Sequence, residues 1–465
     1  MTVCLVIPPS PFLLDERVFM SLGVLRVAAV LEQAGIPVSV CDLSGRLPAE
    51  IAAAPTADVY GLTVTSPQLP AAVDIIRQLR ILHPAARIVL GGPHVTLVYA
   101  AKGPRAARAR AQLDALADVC VAGDGERAIF DALKPNAPKV INADDPKTVL
   151  FLRSSDLNEL PFPARHLLDV DSYRYTIEGR RALSFIAQLG CPFGCGFCGG
   201  RRSPSLRRIR TRTTENVVAE IESLYRRYGI SAFMAYDDEL NVNPGFLGWL
   251  DALTDLQDRL GVGFVFRGFI KAELFTEEQA AAMARAGFRW ILVGFESGHD
   301  RILENINKKA TKAENTRCLQ IAHRHGLKVK ALMSLGHPGE SKATIRATLD
   351  WVLQVRPDDF DATVITTYPG TPYFDDAVET DPGVWTYTAP SGDRLHSVDV
   401  DFSQTAEYYK GIPGAYRAFT WTDALTSPQL IAERDAFEAT ARQTLGLVYP
   451  EPSFDHSMGL TETTL

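Results

Sequence analysis

The chain has 465 residues, of which 46% are hydrophobic and 22% are charged. This composition is that of an ordinary globular protein, and it excludes a disordered chain, a collagen-like chain and a pure coiled coil. The net charge of −7 disfavours general nucleic-acid binding, which requires a basic surface.

The sequence predicts no membrane span and no secretory signal. It contains no stretch of about 18 apolar residues, and its N-terminal segment lacks a basic leader and is interrupted by Pro8 and Pro9. We therefore expect a cytoplasmic protein. Three of the seven cysteines lie within eight residues of each other, a pattern typical of metal binding or catalysis in a reducing compartment.

Strands and helices alternate over residues 1–140, which predicts an α/β domain with a doubly wound, Rossmann-like parallel sheet. In such a sheet a ligand binds beyond the carboxyl ends of the strands, where Gly91, Gly92 and Gly123 fall. Glycine there lets the backbone approach a ligand closely, although tight turns explain the same residues equally well. The predicted strands are 3–7, 38–41, 58–64, 87–90 and 118–121.

A second α/β unit is predicted over residues 181–374, after a proline-containing linker at 141–180. Six strand–helix repeats are too few for a closed eight-fold barrel. They indicate a partial (β/α)6 barrel, whose chemistry gathers at the carboxyl ends of its strands. Residues 375–465 carry less pattern and are predicted to form a small C-terminal extension with one helix at 427–445. The predicted barrel strands are 182–188, 232–236, 263–269, 290–295, 329–335 and 362–367.

The strongest chemical signal is the motif Cys191-x-x-x-Cys195-x-x-Cys198. Three thiolates on one loop can hold three corners of an iron–sulfur cluster and leave one iron open for a substrate. A structural zinc site needs four protein ligands, and no second cysteine pair lies nearby in the sequence. A zinc site completed by a distant ligand, or chance clustering, is the alternative.

The segment GCPFGCGFCGG, with this spacing and an aromatic residue before the third cysteine, resembles the cluster loop of the radical S-adenosylmethionine (SAM) enzymes. The resemblance implies a four-iron, four-sulfur (4Fe-4S) cluster whose open iron binds SAM. It also implies that an electron, from an external low-potential donor, cleaves SAM to a 5′-deoxyadenosyl radical, which abstracts hydrogen from a substrate.

Two polar motifs of the barrel resemble SAM-binding motifs of that family. Asp237-Asp238-Glu239 follows the second strand, where the family places an acidic motif near the SAM amino group. Glu296 and Ser297 end the fourth strand and resemble the family's ribose-contacting pair. A solvated turn is the alternative for the acidic triplet, whereas a glutamate at the end of an apolar strand is costly to bury without a partner.

Four further residues are candidates for contacts with SAM or substrate. Arg267 is the candidate for the SAM carboxylate, by bidentate pairing, with Lys271 in reserve. GHPGES and TYPGTP resemble two later loops of the family, and they carry His337 and Tyr368, the candidate catalytic or substrate-contacting residues. His337 departs from the apolar residue that is usual in its motif.

The N-terminal unit resembles the cobalamin-binding domain that precedes many radical SAM barrels, through SLGVLRVAAVLEQAGIPVSVCD, VTSPQL, VLGGPHVT and VAGDGE. The resemblance implies a cobalamin whose nucleotide tail lies near Thr65, Ser66, Gly91, Gly92 and Gly123. Many such domains ligate cobalt through the histidine of Asp-x-His-x-x-Gly, which does not occur here, so we expect cobalt without a histidine below it. Loss of the cofactor from a retained fold is the alternative.

The segment RRSPSLRRIRTRT holds six arginines between residues 201 and 212. Such a run could recognise a phosphate or carboxylate substrate. A solvated face, or pairing with acidic groups of the neighbouring domain, is the favoured interpretation.

The resemblance implies a cobalamin-dependent radical SAM enzyme, most simply a methyltransferase that moves a methyl group from methylcobalamin to an unactivated carbon of a small-molecule metabolite. A cyclase or ring-rearranging enzyme with the same cofactors is one alternative, and a non-catalytic cobalamin or redox sensor is another. A tRNA-methylthiolating enzyme is disfavoured, because its N-terminal domain would need its own cluster cysteines and Cys4, Cys41 and Cys120 are scattered.

Overall fold

A six-stranded parallel sheet forms the N-terminal part of the computed structural model, which describes residues 1–10, 13, 15–408, 414 and 416–448. Its elements are β1 (Val3–Ile7), α1 (Leu22–Gln33), β2 (Val38–Asp42), β3 (Val59–Thr63), α2 (Leu69–Leu82), β4 (Arg87–Gly91), α3 (Pro93–Ala100), α4 (Gly103–Leu116), β5 (Val119–Gly123), α5 (Gly125–Ala132) and β6 (Val140–Ala143). The strand order is β2-β1-β3-β4-β5-β6. The predicted doubly wound sheet is confirmed, and its order reverses between β1 and β3, where a ligand crevice is expected.

The sixth strand, β6, falls at the boundary where the sequence predicts a linker from residue 141. Val140 and Ile141 pair in parallel with Cys120 and Val121 of β5, so the sheet continues to Ala143. The prolines that precede this strand, and its length of four residues, hide it from pattern analysis.

A seven-stranded sheet follows, in the order β15-β14-β13-β12-β11-β8-β7, with β15 and β7 at its edges. Six strands run parallel and β7 pairs antiparallel with β8, which confirms the predicted partial barrel of six strand–helix repeats. Its elements, with the short ones that precede it, are α6 (Ser154–Glu159), β7 (Thr176–Ile177), β8 (Arg180–Phe185), β9 (Gln188–Leu189), α7 (Pro204–Arg207), β10 (Arg210–Thr211), α8 (Thr214–Tyr228), β11 (Ala232–Ala235), α9 (Phe246–Leu260), β12 (Val265–Phe269), α10 (Glu277–Arg285), β13 (Phe288–Glu296), α11 (Asp300–Ile306), α12 (Lys312–Arg324), β14 (Lys328–Leu335), α13 (Lys342–Val355) and β15 (Asp359–Val364).

Side-chain alternation gives this second sheet a helix-covered face and an open face. Phe233, Phe266 and Phe288 stack in succession across β11, β12 and β13 on the covered face, with ring centroids 5.5 and 5.3 Å apart. Met234 and Leu292 belong to a smaller cluster on the other face. The open face therefore has less apolar filling and more room for ligands.

The C-terminal extension adds a four-stranded antiparallel sheet that the sequence analysis does not predict. The predicted helix at 427–445 is present as α15, and residues 449–465 of the extension lie outside the described residues. Tyr416, Arg434 and Arg442 donate to the carbonyls of Val364, Ala362 and Phe360, so side chains cover the edge strand β15. The elements are α14 (Pro372–Asp375), β16 (Val378–Asp381), β17 (Val384–Thr388), β18 (Arg394–Val398), β19 (Thr420–Thr422) and α15 (Ser427–Leu445).

Five buried charged side chains lie where the first sheet, the linker and the second sheet's elements meet, and we call this set the seam. Glu220 of α8 lies between Arg165 and Arg212, with carboxylate-to-guanidinium distances of 2.7 and 2.5 Å. The three side chains are only 2 to 3% exposed. Arg210 pairs with Asp124, directly after β5, at 2.5 Å. Because an unpaired charge at such a depth is costly, the Arg210–Asp124 pair holds β10 against the first sheet, and the Glu220 pairs hold the linker against α8.

None of the helices in the described part of the chain is long and apolar enough to cross a membrane.

Replacement of Glu220 by glutamine leaves two buried guanidinium groups without their counter-charge. We expect the free energy of unfolding to fall by about 3–5 kcal/mol. Glu222→Gln is the matched control, because Glu222 lies two residues later on α8 and pairs at the surface with Arg226 and Arg259. Its effect should stay within about 1 kcal/mol. Urea unfolding followed by circular dichroism measures both, and equally small losses would contradict the role of the seam.

Candidate functional site

Residues 190–200 form a loop that carries the three clustered cysteines and leaves the end of β9 (the cysteine loop). Gly190 has φ +89, and a Cβ there would lie 2.2 Å from the carbonyl oxygen of Arg208, so this turn requires glycine. The Gly196 amide donates to the carbonyl of Ile306 at 2.7 Å, and a Cβ on Gly196 would lie 2.3 Å from the ring of Tyr373. The loop is therefore packed tightly against the end of α11 and the start of α14.

The three thiols lie close together inside this loop. Cys195 is buried with Phe193 and Phe197 in an apolar cluster, and Cys191 and Cys198 are half-buried. Burial raises the pKa of Cys191 to about 11, and the neighbouring Cys195 adds to the effect. A bound metal would lower the pKa of these thiols, because the thiolate is the form that binds metal.

The donor set fits an iron–sulfur cluster better than a single ion. Within the described ranges, no three or more His, Cys, Asp or Glu side chains converge on one position that could hold a metal ion. A structural zinc ion needs four ligands at one point. The thiolates of a cluster bind different irons, so they need to share a loop but not a single point. Three thiols with an apolar wall satisfy that requirement.

Of the three acidic side chains after β11, one points into the protein and two point outward. The carboxylate of Asp237 is 2% exposed and accepts the backbone amides of Ala187, at 3.0 Å, and Gln188, at 2.5 Å. It thereby joins the end of β11 to the end of β8, and it does not face the open side, as the predicted SAM contact requires. Asp238 is exposed and Glu239 half-buried, so these two stay available to a ligand.

Glu296 and Ser297 point in different directions. Glu296 follows a bulge in β13 and has φ +63, a left-handed conformation rare outside glycine. Its buried carboxylate accepts from Lys308 Nζ at 3.0 Å and from Ser334 Oγ at 2.6 Å. Burial alone would raise the pKa of Glu296, but the charge of Lys308 and the hydrogen bonds from Ser334 and Lys308 together bring it below its usual value, so the group is ionised. Ser297 is buried with its hydroxyl 3.0 Å from Thr348 of α13, so it does not form the predicted pair.

His337 is fully buried and packs against Phe197 of the cysteine loop. Its Nε2 lies 2.7 Å from Ser334 Oγ, and its ring meets the edge of Phe197 with centroids 5.2 Å apart. Burial lowers the pKa of His337 to about 3, so the ring is neutral. The expectation that His337 faces substrate is therefore corrected to a contact with Phe197 and Tyr373.

Tyr368 lies on the wall of a cavity of about 300 Å³ that adjoins the cysteine loop. Phe197, Glu296 and Ser334 line the same cavity. The cavity joins the cysteine loop to the polar end of β13 and β14, which are the elements expected to meet at the carboxyl end of a barrel.

Arg267 is not beside the cysteine loop. It projects from the middle of β12, where its Nη1 donates to the hydroxyl of Tyr175 at 3.0 Å and its guanidinium lies 5.6 Å from the ring centroid of Trp290. Lys271, the reserve candidate, is buried with its Nζ 4.6 Å from the ring centroid of Phe193 within the loop. The alternation of side chains along the strand could not decide which of the two cations lies nearer the loop, since Arg267 lies within β12 and Lys271 just beyond its end.

The carboxyl edge of the first sheet holds the residues predicted for cobalamin. Ser66 Oγ and His94 Nδ1 are 2.8 Å apart and buried, and burial lowers the pKa of His94 to about 4. Thr65 is exposed and donates from its backbone amide and hydroxyl to Gln68 Oε1 at 3.1 and 3.0 Å. Gln68 in turn donates to the carbonyl of Pro8 at 2.9 Å, which joins the turns after β3 and β1.

The glycines at this edge are required by the protein's own backbone. Gly92 and Gly123 have φ +99 and +94, and a Cβ on them would lie 2.6 Å from Thr63 Oγ1 and 2.5 Å from the carbonyl carbon of Ala143. A Cβ on Gly91 would make only ordinary van der Waals contacts with Val121. The tight-turn interpretation therefore accounts for Gly92 and Gly123 without a ligand.

Sequence analysis does not find several residues that shape this site. Lys308 and Tyr373 are the main examples: the first pairs with Glu296 and the second packs on Gly196 and His337. The adjacent lysines of INKKA and the tyrosine of TPYF carry no motif that would single them out.

Two family models match the chain. The radical SAM superfamily model matches residues 185–352, which contain the cysteine loop and β11 to β14. The B12 binding domain model matches residues 16–133, which contain β2 to β5. The chain therefore carries a radical SAM domain, preceded by a B12 binding domain. The cofactors of this class are SAM, an iron–sulfur cluster and cobalamin.

The chain is similar to proteins named as methyltransferases and as a cyclase. An uncharacterized methyltransferase of Pyrococcus horikoshii is 27% identical over 344 residues, 69% of each chain. The anaerobic magnesium-protoporphyrin IX monomethyl ester cyclase of Cereibacter sphaeroides is 26% identical over 335 residues, 68% of this chain and about half (52%) of that protein. The structure of the radical SAM methyltransferase TsrM from Kitasatospora setae, with cobalamin and a [4Fe-4S] cluster bound, has a TM-score of 0.64 at 18% identity, over 97% of this chain and 90% of TsrM. The last likeness shows a shared fold.

Asp237 gives a testable dependence of stability on pH. Burial raises its pKa from 3.8 to about 7, so the folded chain binds this proton more tightly than the unfolded chain. The resulting stabilisation is complete below pH 3.8 and is lost as the pH rises to about 7. In Asp237→Asn the amide oxygen can still accept both backbone N–H groups, so this part of the pH dependence should vanish. Urea unfolding at about pH 5 and pH 8 measures the free energy of unfolding of both proteins. If Asp237→Asn keeps the same change in stability between these pH values as the wild type, the assignment is refuted.

Proposed function

We propose that this protein is a cobalamin-dependent radical SAM methyltransferase that adds a methyl group to an unactivated carbon of a small molecule. The observation that carries the proposal is the contact between the cysteine loop and the B12-binding domain. The backbone at Gly199 packs on Leu97 of α3, where a Cβ would lie 3.3 Å from that side chain. A radical source and a methyl donor must share one substrate, so the two sites have to be neighbours.

In this proposal Cys191, Cys195 and Cys198 hold the cluster, and its fourth iron stays open for SAM. Asp238 and Glu239 are the candidates to accept from the SAM amino group, because both remain partly accessible after β11. Glu296 is the candidate for the ribose, since its carboxylate lines the cavity and is ionised. Asp237, Ser297 and His337 position these groups and contact no ligand.

The B12-binding domain offers the crevice between the turns after β1 and β3 for cobalamin. The hydroxyls of Thr65 and Ser66 flank it, and Gln68 holds its two walls together. Residues 8–21 contain no histidine, and His94 is committed to Ser66. We therefore propose cobalt without a protein histidine as its lower ligand.

When bound, SAM and the reduced cluster supply a 5′-deoxyadenosyl radical, and cobalamin supplies the methyl group. The chain's own contribution is alignment and the exclusion of water. The Arg210–Asp124 pair ties the barrel to the first sheet, and the aromatic side chains of Phe197 and Tyr368 line the cavity beside the cysteine loop. Tyr368 is the substrate-contacting residue of the proposal.

A cyclase is the second candidate function. The observation that favours it is the similarity to the anaerobic cyclase of Cereibacter sphaeroides, at an identity close to that of the methyltransferase relative. Both reactions would use the same cluster, SAM and cobalamin residues. Only the fate of the methyl group separates them.

The remaining parts of the proposal concern location and partners. We propose a cytoplasmic enzyme with an external low-potential electron donor, since all seven cysteines are free thiols, as a reducing compartment maintains. Nucleic acid is disfavoured as substrate, because Arg210 and Arg212 of the arginine run are buried in the seam.

The test uses SAM that carries a deuterated methyl group, with the anaerobically reconstituted protein, hydroxocobalamin, dithionite and a small-molecule extract. We expect wild-type protein to release 5′-deoxyadenosine and to place the label in one small molecule. In Cys198→Ala both products should fall to background, because the cluster loses a ligand. Cys41→Ala is the matched control, since Cys41 is half-buried on β2 of the other domain, and it should retain both products.

Release of 5′-deoxyadenosine without transfer of the label would favour the cyclase. Absence of 5′-deoxyadenosine from a wild-type protein that holds its cluster would contradict radical chemistry and favour a sensor.

A further inference from the structure

Arg201 lies three residues after Cys198 and is a buried cation without an ion pair in the described part of the chain. Its side chain is 6% exposed. Its Nη1 donates to the backbone carbonyl of Cys191 at 3.4 Å, a long hydrogen bond. Its Nε and Nη2 are buried and have no hydrogen-bond partner among the described residues.

Neighbouring arginines of the same run are paired. Arg202 meets Asp375 at 3.3 Å and Asp376 at 2.6 Å, on the C-terminal extension. Arg210 and Arg212 belong to the seam. Pairing with acidic groups therefore accounts for these three arginines, and Arg207 and Arg208 are exposed. Arg201 is the buried arginine of the run that neither interpretation explains.

A buried guanidinium needs an anionic partner. Arginine stays protonated in proteins, so Arg201 cannot reduce its desolvation cost by losing a proton. The contact of its Nη1 with the Cys191 carbonyl places the guanidinium against the cysteine loop. An anion that fills this space would complete the site.

We propose that Arg201 is the counter-cation of the iron–sulfur cluster and donates its two unused N–H groups to cluster sulfur. The inference rests on the proposed function, because the cysteine loop must hold a cluster. Net charge and hydrogen bonds to sulfur set the reduction potential of such clusters. A fixed positive charge stabilises the reduced, more negative state. Arg201 thus eases the one-electron reduction by the external donor, and no bond to Arg201 forms or breaks.

The test is a redox titration of the reconstituted wild type and of Arg201→Gln, without SAM, followed by electron paramagnetic resonance of the reduced cluster. We expect Arg201→Gln to hold as much iron as the wild type. Its equilibrium constant for reduction should fall about tenfold, which is about 59 mV for a one-electron couple.

Arg202→Gln is the matched control, because it removes the same charge one residue later from a paired site. Its potential should equal that of the wild type. An unchanged potential in Arg201→Gln, or an equal shift in both variants, would overturn the inference. A shift that appears only when SAM is present would assign Arg201 to the SAM carboxylate and would overturn it as well.

If Arg201→Gln loses its cluster, Arg201→Lys decides the question. Iron retained in Arg201→Lys supports the inference, since that variant keeps the charge. Loss of iron from both variants, with the circular dichroism of the wild type, assigns Arg201 to the shape of the loop and overturns it. Failure of the proposed function looks different, because the wild-type protein itself would then hold no iron or release no 5′-deoxyadenosine.

Discussion

Buried charge pairs hold the first sheet, the linker and the second sheet's elements together, and the site depends on that contact. Glu220 lies between Arg165 and Arg212, and Asp124 pairs with Arg210. The Ser203 hydroxyl and the Ser205 backbone amide also donate to the carboxylate of Asp144, which follows β6. Ion pairs at such a depth contribute little net stability but tolerate only one geometry.

The seam also explains why the arginine run directly follows the cysteine loop. The chain leaves the loop, passes through α7 and reaches β10, and its arginines make ion pairs on the way. The Arg210 pair with Asp124 fixes the segment relative to the B12-binding domain, and the Arg202 and Arg212 pairs fix it relative to the C-terminal extension and α8. A loop that held a cluster without this support would have no set distance to the other cofactor, and alignment is the main contribution that such a protein makes to cofactor chemistry.

Much of the fold and part of the site follow from the sequence. Apolar strand patterns, glycine-ended helices and the cysteine spacing identify both parallel sheets, because each signal is local. The strand β6 and the antiparallel β16 to β19 are not predicted, since β6 is short and β16 is exposed along its whole length. β16 to β18 pair with their neighbours in the chain, so it is their short length, not the distance to their partners, that hides them from pattern analysis.

The direction of individual side chains is the other part that the sequence does not contain. The bulge and left-handed φ at Glu296 shift the strand by one residue, which turns Ser297 away from the open face. Asp237 turns inward because two backbone amides at the end of β8 need an acceptor. In each case a tertiary hydrogen bond determines which of two or three adjacent polar side chains points into the protein. The sequence alone does not distinguish them.

The central claim is that one chain holds two cofactors at facing sheet edges. The most direct measurement is metal analysis, with an absorption spectrum, of the protein reconstituted anaerobically with iron, sulfide and hydroxocobalamin and then desalted. The account predicts about four irons and about one cobalt per chain. Four irons without retained cobalt would contradict it, because the first sheet would then be a scaffold and the methyl donor would be missing.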